Sequence, residues 1–227
     1  YLSGGQIWRT TPAGGTPAQV SKTTAEISGF KISPDGTRLL IWGDVPMACA
    51  DFGCDEDKSD QSQGTGRHYK DGVGFVRHWD SWETPGTHSR IFVLNLADGQ
   101  ASVARPISAG LVGDAPSKPF GGGEELAWGP DSRTVYFTLR KADRDEPTST
   151  NLDIYRALVD ARIAPVNLTA DNLATDTLPT PSSDGKYLAY AAMARAGYEA
   201  DRQVLMLRDL ASGETRKLTD AWDRSVS

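Results

Sequence analysis

The sequence predicts an all-β chain: an incomplete β-propeller of four-stranded antiparallel blades, about three of them visible and one carrying a long insertion. Three observations lead there. A turn-plus-strand motif repeats along the chain. A second strand, a turn and a short closing strand follow each copy. Helical periodicity is poor, while 23 glycines and 13 prolines punctuate the apolar runs.

The elements follow in order. Residues 1–22 read as the end of a preceding blade, with Gln6-Ile7-Trp8-Arg9 as a truncated second strand. Residues 23–106 read as a blade opened by Ile32-Ser33-Pro34-Asp35-Gly36-Thr37-Arg38-Leu39-Leu40-Ile41-Trp42. In such a turn Pro presets φ, Asp bonds the backbone and Gly accepts φ > 0. The second strand is Arg90–Leu96, followed by the turn Ala97-Asp98-Gly99. Asp35 and Asp131 are 96 residues apart, whereas Asp131 and Asp184 are 53 apart. One blade takes about 40–50 residues, so the excess is an insertion near residues 45–89. Two blades in that span would need another copy of the motif, and none is visible there.

The second blade, residues 107–170, repeats the motif at Trp128–Thr138 and continues through Asp153–Leu158 and Val166–Thr169. The third, residues 171–220, has Pro181–Tyr190, Gln203–Leu210, the turn Ala211-Ser212-Gly213 and Arg216–Thr219. Residues 221–227 read as the lead-in to a further blade. Propellers close with roughly four to eight blades. Both ends are therefore expected to be cut, and the chain to be part of a longer polypeptide. An unrelated β-sandwich with the same turn signals is the alternative.

Composition narrows the function classes. The 227 residues are 38% hydrophobic and 24% charged, as in a globular protein with a sizeable core. A net charge of −6 and a pI near 5.1 disfavour a general nucleic-acid binder, which needs a basic stripe. No run approaches the roughly 20 apolar residues of a membrane span; the most apolar, Leu188–Ala194, is far too short. No leader is legible in Tyr1-Leu2-Ser3-Gly4-Gly5, which reads as the middle of a domain.

The two cysteines, Cys49 and Cys54, lie in a short acidic stretch, and His68, His78 and His88 follow. Zinc usually asks for tighter cysteine spacing and nearby partners. A disulfide closing an inserted loop is the preferred reading, with a Cys2His2 site and two free thiols as the others. A disulfide implies an oxidising compartment, hence periplasmic or secreted localisation. The acidic run Asp51–Asp60 lacks the glycine and terminal glutamate of a calcium loop and reads as a solvated loop. No metal or cofactor is expected. Asn167-Leu168-Thr169 fits a glycosylation sequon but is more simply a closing strand. Gly121-Gly122-Gly123 lacks a following helix and lysine, so it reads as an inter-blade linker.

The Ser33–Leu40 turn and strand resemble those in propellers of the prolyl oligopeptidase family of serine peptidases, and also those of the periplasmic Tol-system propeller. The insertion separates the two. Its run Val76-Arg77-His78-Trp79-Asp80-Ser81-Trp82, the strand His88–Val93 and the cysteine-bearing stretch Cys49–Asp57 are similar to bacterial acylaminoacyl-peptidase and dipeptidyl-peptidase-like members. The resemblance implies an N-terminal propeller followed by a C-terminal α/β-hydrolase domain acting on peptide substrates. That hydrolase domain would carry Ser, Asp and His, with Ser on a Gly-x-Ser-x-Gly elbow. The chain contains no such elbow and no credible Ser-His-Asp set, so no catalytic residue is assigned and the chain alone is expected to be inactive. Paired glutamates bind the substrate amine in some relatives. Glu124-Glu125 directly precedes a blade strand, so that role is not carried over.

The candidate substrate contacts are Arg77, His78, Trp79, Asp80, Trp82 and Glu83. Aromatic faces hold side chains, Arg holds carboxylates, and Asp or Glu holds amines. The competing reading is a hairpin whose tryptophans plug its own base. Val73–Trp82 and His88–Leu96 are expected to pair as a long hairpin turned at Glu83–Thr87. Arg77, Trp79 and Ser81 would share one face, with His78, Asp80 and Trp82 on the other. Two functions remain: the substrate-gating, non-catalytic propeller of a serine peptidase that cleaves short peptides, and a non-catalytic protein-binding propeller of the Tol type.

Overall fold

In the computed structural model, the described residues are 1–54, 69, 74–78, 80–102, 104–160 and 163–226. The chain opens with β1 (Leu2–Ser3), β2 (Gln6–Arg9) and β3 (Ala18–Gln19), a three-stranded antiparallel sheet. Strands β4 (Gly29–Ile32) and β5 (Arg38–Pro46) start the second sheet. A two-residue-stranded hairpin, β6 (Arg77–His78) and β7 (Ser81–Trp82), intervenes. Strand β8 (Thr87–Ala97), carrying the short β9 (Gln100–Ala101), and β10 (Arg105–Pro106) then complete the order β4-β5-β8-β10. The third sheet is β12 (Leu126–Trp128), β13 (Thr134–Lys141), β14 (Asp153–Leu158) and β15 (Val166–Asn167), with β11 (Gly113–Asp114) on the end of β13. The fourth is β16 (Asp176–Pro181), β17 (Tyr187–Ala192), β18 (Val204–Asp209) and β19 (Thr215–Lys217). All ladder neighbours are antiparallel and sequential strands sit side by side, the meander of a propeller blade.

The core explains why the strands read as continuous apolar runs. Alternate residues of a strand point to opposite faces, and here both faces are covered. Leu40, Ile91 and Val93 pack with Leu126, Val135 and Phe137 of the third sheet. Their neighbours Leu39, Ile41, Phe92 and Leu94 pack the other way, on Ile7 and Val20 of the first sheet. Tyr136 and Ile154 of the third sheet meet Leu188 and Tyr190 of the fourth. Gly29 is required where Trp42 crosses it, since a Cβ there would lie 2.0 Å from Trp42 Cζ2.

The repeated turns behave as local chemistry requires. Asp35 Oδ1 accepts from Ser33 Oγ at 2.6 Å and Thr37 N at 3.0 Å; Asp184 Oδ1 accepts from Ser182 Oγ at 2.6 Å and Lys186 N at 3.1 Å. Asp131 accepts from Arg133 N, Thr134 N and Thr134 Oγ1 at 3.0, 2.9 and 2.7 Å. Gly36 and Gly185 take φ of +73° and +70°, and in the second copy Ser132 takes +56°. That left-handed serine costs conformational energy, but it stitches two sheets: its Oγ accepts from Asp35 N at 3.0 Å and its carbonyl from Arg38 Nη1 at 2.7 Å.

The structure corrects the expected long hairpin. Strand β8 pairs with β5, from Arg38↔Asn95 to Pro46↔Thr87, and not with the described residues among 73–82. Burial decides this. Leu39, Leu40 and Ile41 offer a partner that is apolar on both faces for Ile91–Leu94, and the mixed polar and apolar run before Trp82 does not. The inserted segment therefore leaves at Pro46 and returns at Thr87. The expected sharing of faces is corrected as well. The chain turns at Asp80, so Arg77 is opposite Trp82 and His78 is opposite Ser81.

Candidate functional site

The insertion begins tied to the core. Arg90 is buried on β8, and its Nη1 donates to the carbonyls of Pro46 and Cys49, each at 2.9 Å. Burial pulls the Arg90 pKa down, and the two carbonyls supply acceptors in place of water. Cys49 and Cys54 form a disulfide with Cα atoms 5.5 Å apart, so neither sulfur is free for a Cys2His2 site. Phe52 stands edge-on to Phe92 at 5.1 Å. The acidic residues 55–60 and His68 lie outside the described residues.

The later part of the insertion lies against the third sheet. Gly74 N donates to Asp143 O at 3.1 Å, and the Phe75 N–H bonds to the Glu146 carboxylate. The Arg140 guanidinium lies 5.6 Å from the Phe75 ring centroid. Gly74, with φ of +74°, lets the backbone pass close over Glu146, since a Cβ there would be 2.7 Å from Oε2.

A cleft of about 500 Å³ opens between these anchors, lined by His78, Glu83, His88, Asp114 and Glu146 among others. Strand β11 holds Asp114 against β8: its Oδ1 accepts from Ser89 N at 2.7 Å and its Oδ2 pairs with His88 Nδ1 at 3.1 Å. Lys118 Nζ lies 3.1 Å from Asp44, 3.3 Å from Glu83 and 3.7 Å from Asp114. Burial alone would lower the Lys118 pKa; Asp114, Asp44 and Glu83 outweigh it and hold it above its ordinary value. His78 Nε2 stands 3.5 Å from Glu83 Oε1. Burial nevertheless dominates and lowers the His78 pKa, with Arg140 and Lys118 acting in the same direction against Glu83. Glu146 is buried, and desolvation, reinforced by Asp114, raises its carboxyl to about 7. The cleft thus presents two imidazoles and a carboxyl of raised pKa, and Lys118 pairs with two of its lining carboxylates, Glu83 and Asp114. Among the described residues neither imidazole is hydrogen-bonded to a serine, and no group of three or more His, Cys, Asp or Glu is placed to hold a metal.

The structure separates the six sequence candidates. His78 and Glu83 line the cleft. Arg77 stacks on Trp82 at 5.3 Å beside it, and Trp82 is 57% exposed. Asp80 is exposed at the hairpin turn. Trp79 lies outside the described residues. Lys118, Asp114, Glu146 and Arg140 escaped sequence reasoning because they belong to the ends of blade strands and linkers and carry no motif; only folding gathers them around His78. Glu124 and Glu125 belong to a 3₁₀ turn, Gly123–Glu125, within the linker. Glu125 is buried and accepts from Ser117 N at 2.7 Å, Ser117 Oγ at 2.8 Å and Thr177 Oγ1 at 3.2 Å, joining the third and fourth sheets. Asn167 Nδ2 donates to Asp153 at 2.9 Å within the third sheet.

No family model matches the chain. Dipeptidyl-peptidase 5 of Porphyromonas gingivalis is 33% identical over 204 residues, 88% of this chain, and the chain spans 28% of that relative's length. Among solved structures, the acylaminoacyl peptidase of Pyrococcus horikoshii superposes with a TM-score of 0.58 at 14% identity, covering 98% of this chain and 30% of the other. A TolB-type structure from Agrobacterium tumefaciens gives 0.53 at 18% identity, covering 96% of this chain and 56% of the other. At such identities the two structures speak for the fold alone. No helix among the described residues is long and apolar enough to cross a membrane. The four stacked antiparallel sheets, the propeller-type likeness and the similarity to dipeptidyl-peptidases together make this chain a peptidase-family β-propeller domain.

Proposed function

We propose that the chain is the non-catalytic, substrate-gating propeller of a serine peptidase of the prolyl oligopeptidase family that cleaves short peptides. The similarity to dipeptidyl-peptidase 5 along 88% of the chain carries this reading. The catalytic Ser, His and Asp would belong to a C-terminal α/β-hydrolase domain of the same polypeptide, and no cofactor is needed for such chemistry. The propeller would admit peptides and contact them through the hairpin face, with Arg77, His78, Trp79, Asp80, Trp82 and Glu83 as candidates. His78 and Glu83 are favoured by their place in the cleft. A disulfide-closed insertion suits a periplasmic or secreted protein.

The second reading, a non-catalytic protein-binding propeller of the Tol type, is favoured by the likeness to the TolB-type fold. One experiment divides them. The full-length protein is assayed on dipeptidyl and acyl-aminoacyl chromogenic substrates, with and without a serine-directed inhibitor, beside the 227-residue chain alone. The peptidase reading expects inhibitor-sensitive turnover by the full-length protein and none by the chain. Absence of turnover by the full-length protein, or turnover by the chain alone, overturns it.

A further inference from the structure

A second groove, of about 990 Å³, runs beside the cleft and shares Phe75 and His78 with it. Its walls come from the hairpin, the Pro119-Phe120 linker, the Pro147–Thr150 loop and the Gly197–Ala200 loop. Its floor holds Arg140, at the end of β13 opposite Asp114. Most cations on this side of the protein are paired: Lys118 with Asp44, Glu83 and Asp114, and Arg195 with Asp201. Arg140 is not. Among the described residues no carboxylate lies within ion-pair distance of its guanidinium, and its buried Nε has no hydrogen-bond partner. What it has instead is the face of Phe75. Arg77, which lines the same groove, likewise lies on an aromatic face, that of Trp82, with no carboxylate at ion-pair distance among the described residues.

A buried guanidinium N–H without an acceptor costs about 1–3 kcal/mol, and a planar fork left open is suited to a carboxylate. The neighbouring charges compensate that vacancy only in part. Glu146, whose carboxyl interacts with the Arg140 charge, is raised by burial to about 7 and so is only partly ionised at neutral pH. Burial lowers the His78 pKa, and the groove's remaining charge, Glu199, is on the exposed Gly197–Ala200 loop. Phe75, Phe120 and Tyr198 supply aromatic surface for apolar groups beside the charge.

We infer that this groove binds a peptide carboxylate, held by Arg140 with Arg77 as the outer cation and flanked by the three aromatic rings. The carboxylate is an acidic side chain or the C-terminal carboxylate of a short peptide; both present the same planar oxygens to the fork. The inference concerns binding only and involves no bond cleavage.

Three peptides distinguish the sources: acetyl-Ala-Gln-Ala-amide, acetyl-Ala-Glu-Ala-amide and acetyl-Ala-Gln-Ala with a free carboxylate. Their binding to the full-length protein is measured by calorimetry and by the fluorescence of the exposed tryptophans. At least one carboxylate peptide is expected to bind about tenfold tighter than the uncharged one, the worth of one charge-assisted hydrogen bond. Arg140→Gln should abolish that preference while leaving the uncharged peptide unaffected, and Arg77→Gln should reduce it. Should Arg140→Gln fail to fold, the exposed Arg77→Gln carries the test. Equal binding of all three peptides, no binding of any, or a preference that survives both substitutions overturns the inference. Blocked peptides have no free amine to be recognised and need not be cleaved, so a failure of the peptidase reading shows separately, as loss of turnover with carboxylate binding intact.

Discussion

Glu146→Gln is the perturbation whose outcome follows most directly from the site. Glu146 sits in the 3₁₀ turn Glu146–Thr148, buried under Gly74 and Phe75. Burial, then the Asp114 carboxylate, push its pKa from 4.5 to about 7, while Arg140, His88 and the Phe75 N–H pull the other way. At ~1.4 kcal/mol per pH unit the interval corresponds to roughly 3 kcal/mol. The sign follows from linkage. The folded state keeps a proton that the unfolded chain releases, so the stability tied to the neutral carboxyl is complete below about pH 4.5 and is lost as pH rises through about 7. Glutamine is neutral throughout and its carbonyl can still accept the Phe75 N–H. The variant should match the wild type at about pH 4.5 and gain on it progressively, by up to about 3 kcal/mol above pH 8. Urea denaturation across that range, with the two unfolding curves subtracted, reads the effect. A difference that stays constant with pH refutes the buried, proton-holding carboxyl.

Three further outcomes are expected. Lys118→Met should destabilise the protein by about 2–3 kcal/mol in thermal unfolding at neutral pH, because Asp44, Glu83 and Asp114 lose their shared countercharge. Asp131→Ala should cost about 1–2 kcal/mol at neutral pH through its lost turn bonds. Desolvation works against the Asp131 carboxylate, yet those bonds outweigh it and hold its pKa below the ordinary 3.8, so the difference between variant and wild type should shrink only as acid protonates the native carboxyl. The double change Cys49→Ser, Cys54→Ser opens a loop with a sequence separation of 5, and a loss of about 2 kcal/mol of unfolding free energy, read as a lower denaturant midpoint at unchanged slope, is expected.

Much of the fold was legible before any coordinates, for local reasons. The Pro-Asp-Gly turns announce themselves because their φ requirements and side-chain bonds involve only neighbours in sequence, and Asp35, Asp131 and Asp184 each cap their turn as read. The β-rich runs at Leu39–Trp42, Val135–Leu139 and Leu188–Ala191 became ladder strands for the same reason. The candidate site was legible in part. The polar and aromatic density around Arg77–Glu83 marked a hairpin of which His78 and Glu83 line the cleft, but not what faces it.

Strand partnership across the insertion was decided by tertiary structure. Residues 73–82 and 88–96 are close in sequence and look pairable, yet β8 belongs to β5 because only that pairing buries Ile91–Leu94 on both faces. Local patterning states that a strand exists; which strand it joins depends on the area removed from water over the whole sheet. The same holds for charge. Lys118, Asp114, Arg140 and Glu146 come from β11, β13 and the loops beside them, and no spacing links them to His78. Their ionisation depends on burial and on neighbours met only after folding. The sequence by itself therefore determined the turns, the strands and the blade plan, because these rest on contacts a few residues apart. The cleft, its proton-holding carboxyl and the open guanidinium beside it were decided by the tertiary structure, because desolvation is a property of the packed interior.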